Sequence, residues 1–76
     1  MTLEDLEAGV RARIVAIDAD DPTVQRLMML GLVEGAEVEF LRASLGGDPL
    51  EILIYGAAIS LRREQAHAFH LEPVAV

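Results

Sequence analysis

The chain has no cysteine, no tryptophan and no lysine, and only 4% of its 76 residues are aromatic. Without cysteine there is no disulfide, no zinc-thiolate site and no thiol nucleophile, so stability must come from packing alone. One tyrosine and two phenylalanines (Phe40, Tyr55 and Phe69) are too few for a platform that stacks bases, or for the aromatic-lined groove that takes proline-rich peptides. Positive charge is also scarce: six arginines face 13 acidic residues, a formal charge of -7. Phosphate backbones and anionic lipid heads repel such a surface, which argues against nucleic acid and against peripheral membrane binding. No apolar run approaches the roughly 20 residues that span a bilayer. The acidic start Met1-Thr2-Leu3-Glu4-Asp5-Leu6-Glu7 lacks the basic and apolar regions of a secretory signal. A cytoplasmic protein with no direct membrane insertion is expected. Catalytic patterns are missing too. Ser44 and Ser60 have no accompanying His-plus-acid set, and no G-x-x-x-x-G-K-[ST] loop exists to hold a nucleotide. The composition points to a non-enzymatic domain.

What remains is aliphatic. Hydrophobic residues make up 53% of the chain, so a single domain over residues 1–76 must pack a thin core of Leu, Ile, Val and Ala. A chain of this length buries only about 60–65% of its unfolded surface, which leaves little room for a deep active site. Leu3 and Leu6 suit one helical turn capping a core, and Gly9 releases the chain into a strand. Residues 12–17, Ala-Arg-Ile-Val-Ala-Ile, read as a short buried strand. Residues 36–43 alternate, with Val38 and Phe40 on one face and Glu37 and Glu39 on the other. The turn formers Leu45-Gly46-Gly47-Asp48-Pro49 lead into a strand at 50–55, and the two strands form a hairpin. A further strand at 58–61, a helical turn at 63–66 and a last strand at 69–74 follow. Five short antiparallel strands, one inserted helix and brief connections define a mainly β fold, a small barrel whose closure removes exposed edges.

The helix carries the most information. Asp21 is placed to cap its first amide groups, and Pro22 is tolerated at the first helical position because its missing N–H would have had no partner. On a helical wheel Val24, Leu27, Met28 and Gly31 form one stripe with Leu30 beside it, whereas Met29 falls opposite, near Gln25 and Arg26. Gly31 is the natural left-handed stop, and Leu32 can pack back on the last turn. A large thioether facing water invites a covering surface. Met29, together with Arg26, Leu32 and Leu45, is therefore the candidate partner-binding set, with packing under a loop as the competing reading for Met29.

Two patterns could hold a cation. Glu64-x-x-His67-x-x-His70 would align a carboxylate and two imidazoles on one continuous helix, a set suited to Fe2+. Residues 69–71 read as strand, however, which turns His70 away. Asp18, Asp20 and Asp21 lack the glycine and distal glutamate of an EF-hand loop and serve better as a solvated cap. No resident metal or cofactor is expected.

In order and spacing, Leu3-x-x-Leu6-x-x-Gly9, Arg26-Leu-x-x-Leu30-Gly31-Leu32-x-x-Gly35, Gly47-Asp48-Pro49-Leu50-Glu51-Ile52 and Ile59-Ser60-Leu61-Arg62-Arg63-x-x-Ala66 resemble the FeoA family over nearly the whole chain. The resemblance implies an SH3-like β-barrel. It implies a cytosolic accessory or regulatory protein of bacterial ferrous iron transport, docking on the GTPase-bearing cytosolic part of the FeoB transporter. A small Fe(II)-binding carrier using Glu64, His67 and His70 is the alternative. A similar barrel also occurs appended to metal-responsive repressors, so a metal-sensing module stays open, as does a homo-oligomer.

Overall fold

The computed structural model of the chain describes residues 1–74. Its elements are β1 (Arg11–Ile17), α1 (Pro22–Met29), β2 (Glu37–Ala43), β3 (Leu50–Ile54), β4 (Ala57–Leu61), α2 (Arg63–Ala66) and β5 (Phe69–Pro73), with short 3-10 turns at Leu3–Asp5 and Leu45–Gly47. The strands form one antiparallel five-stranded sheet in the order β4-β3-β2-β1-β5. Mainly β architecture, the hairpin, the single longer helix after the first strand and the helical turn at 63–66 agree with the sequence reading.

Period-two patterning decides which side chains go inward. Leu50, Ile52 and Ile54 of β3, Val38 of β2, Ala12 and Ile14 of β1, and Phe69 and Leu71 of β5 converge on one core with Leu3, Leu6, Val24, Leu27 and Leu32. Each fully buried aliphatic contributes roughly 1.5–3 kcal/mol relative to exposure, so this cluster outweighs every surface interaction described below.

Two expectations need correction. Residues 12–17 are not a uniformly buried strand: Val15 is 43% exposed and Ala16 is exposed. The β1–β5 register shifts between Ile14 and Ala16, so Val15 is an extra residue that rotates the strand outward. A matching shift between Phe40 and Arg42 leaves Phe40 only partly buried against the core. The second correction concerns closure. β4 and β5 are the two ends of the sheet order, so hydrogen bonding between them does not remove the edges. The N-terminal segment covers the β5 edge instead, since the Leu71 N–H donates to the Met1 carbonyl at 2.7 Å and Thr2 bridges His70.

The exit of α1 is a double-bonded cap. The Gly31 N–H donates to the Met28 carbonyl (3.0 Å) and the Leu32 N–H to the Leu27 carbonyl (3.3 Å), with Gly31 at φ 117°. This arrangement satisfies two otherwise orphaned carbonyls and needs a positive φ between them. It also swings Leu32 into the core.

Candidate protein-interaction face

At its start α1 is held as the sequence foretells. The Asp21 carboxylate accepts hydrogen bonds from the Thr23 backbone N–H and hydroxyl, both at 2.8 Å. The backbone bond first, then the hydroxyl, holds the Asp21 carboxyl below its ordinary value near 3.8. Val24 and Leu27 are buried and Met28 is half-buried, so the rest of the helix surface is fixed in direction.

That outward surface is apolar. Met29 is 87% exposed and Leu30 57% exposed. Beside Gly31, which follows them, lies Tyr55, itself 76% exposed: a Cβ added to Gly31 would stand 3.6 Å from two carbons of the Tyr55 ring. The aromatic ring of the β3–β4 turn thus lies beside the end of α1 at Gly31. Arg26 is exposed and makes no ion pair among the described residues, whereas Arg11, Arg13 and Arg42 pair with Glu39, with Glu37 and Glu72, and with Glu51. Arg26, Met29, Leu30 and Tyr55 therefore offer a cation, a thioether, an aliphatic and a phenol with no described side-chain ion partner. Beyond Tyr55 a shallow groove of about 340 Å³ continues over the outer sheet face, lined by Leu53, Glu37, Glu39 and Arg11.

The structure divides the set predicted from sequence. Arg26 and Met29 lie on this surface. Leu32 does not: it is fully buried, because the cap at Gly31 turns it inward, and its side chain cannot meet a partner. Leu45 is fully exposed, but it sits in the β2–β3 loop, before the first residue of β3, while Tyr55 follows the last. Five residues of strand separate the two by roughly 16 Å, so Leu45 is not part of the Met29 surface. The loop that carries Leu45 is anchored elsewhere: the Arg63 guanidinium donates to the Gly47 carbonyl at 2.7 and 3.0 Å, and the Arg63 N–H to the Asp48 carboxylate at 3.0 Å.

Tyr55 and Leu30 were missed. Tyr55-Gly56 is a two-residue turn between paired Ile54 and Ala57, with φ of 48° and 79°. Asn or Asp would suit the first position better than a bulky aromatic. A tyrosine directly before a glycine between two apolar runs was the available signal.

The Glu64, His67, His70 set is not assembled. α2 ends at Ala66, and His70 lies on β5. The two imidazoles take separate carboxylates, His67 Nε2 with Glu4 Oε2 and His70 Nε2 with Asp18 Oδ2, each at 2.9 Å. Among the described residues no group of three His, Asp or Glu side chains could hold a metal ion. The continuous-helix premise fails because the chain must re-enter the sheet at Phe69. No helix among the described residues is long and apolar enough to cross a membrane.

A five-stranded antiparallel sheet with an inserted helix defines a small SH3-like β domain. The FeoA domain model matches residues 1–73, and the chain belongs to that family, which is associated with ferrous iron transport. Among solved structures it is 37% identical to the FeoA protein of Chlorobium tepidum, with a TM-score of 0.90, covering 99% of this chain and 71% of that one. It is 32% identical to iron(II) transport protein A of Clostridium thermocellum (TM-score 0.90), covering 97% of this chain but only 46% of the other. The zinc-complexed FeoA of Stenotrophomonas maltophilia, described as a prokaryotic SH3 domain protein, is 29% identical (TM-score 0.83) with 95% and 89% covered. No curated protein sequence matches the chain.

Proposed function

We propose that this domain is a non-enzymatic, cytoplasmic accessory protein of ferrous iron transport that docks on the GTPase-bearing cytosolic part of a FeoB-like transporter. The contact is made through Arg26, Met29, Leu30 and Tyr55. The observation that carries this reading is the pairing of a bare thioether and a bare phenol at one corner of a domain in an iron-transport family. Met29 and Tyr55 are 87% and 76% exposed, on elements that meet at Gly31. Aromatic, Met and Arg side chains are the types enriched at interface centres. The FeoB partnership follows from family resemblance. The whole chain, residues 1–76, acts as one domain.

The same reading gives the domain no resident metal. Each histidine is engaged with its own carboxylate, and Glu64 points to no shared centre with them. Anaerobic calorimetry with Fe(II) is expected to show no stoichiometric heat, and a stoichiometric heat abolished by His67→Ala would revive the carrier.

Docking is tested by titrating the purified domain against the transporter's cytosolic region. Binding is expected at micromolar concentration, and Met29→Asp is expected to weaken it at least tenfold, about 1.4 kcal/mol, without lowering Tm. Equal affinity for the variant overturns the assignment of the face. No binding by the wild type overturns the docking itself.

A further inference from the structure

The two edges of the sheet are treated differently. The outer edge of β5 is occupied by Met1 and Thr2, and its strand carries Glu72 and Pro73. Among the described residues nothing pairs with the outer edge of β4. Its sequence, Ala57-Ala58-Ile59-Ser60-Leu61, contains no charge and no proline, and its register with β3 runs without a bulge. These are the devices by which proteins block an edge, and β4 has none of them.

Hydrogen-bond parity identifies the free groups. Ile54 and Ala57 flank the two-residue turn and form a hydrogen-bonded pair, so the pairs alternate from there. Ala57, Ile59 and Leu61 direct their peptide groups to β3, whereas Ala58 and Ser60 direct theirs outward. No hydrogen bond among the described residues uses the outward groups of Ala58 or Ser60. Beyond them the edge ends, because the Arg62 N–H donates to the Gln65 side chain and the Arg62 carbonyl accepts from the Gln65 and Ala66 N–H groups.

We infer that the β4 edge pairs with the β4 edge of a second copy of this chain, antiparallel about a twofold axis through Ile59. In that register Ala58 of each copy faces Ser60 of the other. The two pairs exchange about four hydrogen bonds and use every outward group of the edge. Ile59 meets its own equivalent in the close, non-hydrogen-bonded pair, which covers a side chain left only partly buried against the core. The pairing is self-complementary, as a twofold interface requires. Charge supports it locally. Although the chain carries -7, none of that charge lies on β4. The flanking Arg62, which has no ion pair among the described residues, falls opposite Gly56 and beside Tyr55 of the other copy, where its guanidinium can meet the phenol ring. A foreign peptide gains specificity from side-chain pockets along an edge, and the alanines and serine of β4 build none. The seam is short, so the dimer is a weak one governed by mass action.

Sedimentation velocity over ~10 µM to ~1 mM, the range for a weak small interface, tests the pairing together with amide hydrogen exchange. The weight-average mass is expected to rise toward that of two chains, and the Ala58 and Ser60 amides are expected to exchange more slowly as concentration rises. Ala58→Pro removes an N–H that β3 does not use, and this variant is expected to remain monomeric throughout. If Ala58→Pro does not fold, the wild-type exchange profile decides alone. Monomer at every concentration with freely exchanging Ala58 and Ser60 amides leaves the edge to some other strand and overturns the dimer. A dimer that forms without concentration-dependent protection of those two amides overturns it as well.

Discussion

Leu30 and Leu32 are the same side chain, two residues apart on either side of Gly31, yet Leu30 is 57% exposed and Leu32 fully buried. Hydropathy cannot separate them. The separation comes from one backbone angle: Gly31 at φ 117° closes the helix and reverses the chain, so that everything before it on the outer arc faces water and Leu32 faces the core. A stretch that reads as one apolar run is therefore two surfaces. One holds the fold together; the other is available to a partner.

Substitutions on the two sides should differ sharply. Leu32→Ala is expected to cost about 2–5 kcal/mol in urea unfolding, because it empties a sealed site. Gly31→Ala is expected to cost about 1–2 kcal/mol. The added methyl meets Tyr55 at an ordinary contact distance of 3.6 Å, so the penalty is the left-handed backbone and not a clash. Equal stability of Gly31→Ala and wild type would break the comparison at its root. Asp21→Ala, at the other end of the helix, should lower Tm at neutral pH. Its sign with pH is set: the folded carboxyl titrates below its ordinary value near 3.8, so the stabilisation is present above that value and is lost as pH falls through the folded one. The gap between wild type and Asp21→Ala should therefore close on acidification, and a gap that widens below pH 3.8 would contradict the cap. Met29→Ser should change stability by no more than about 0.5 kcal/mol, the smallest effect of the series, because its side chain is solvated already.

Local signals were legible in the sequence where local chemistry decides. The Asp21-Pro22 start of α1, its stop at Gly31, the turn at 63–66 and the alternation of β3 all follow from residues within a turn or two of one another. Features set by distant pairing were not. The outward rotation at Val15 depends on register with β5, and the partners of His67 and His70, Glu4 and Asp18, lie far away in the chain. For the candidate site the same division holds. Met29 and Arg26 could be read from a wheel, whereas the contact of Tyr55 with Gly31 joins two turns separated by β2 and β3. The exclusion of Leu45 depends on that same long-range placement.

The docking face is tested most directly by recording backbone amide shifts of the labelled domain while the transporter's cytosolic region is added. Shifts confined to Arg26, Met29, Leu30, Tyr55 and their immediate neighbours are the predicted result. A footprint centred on Leu45 and the β2–β3 loop, with the end of α1 unmoved, would contradict it.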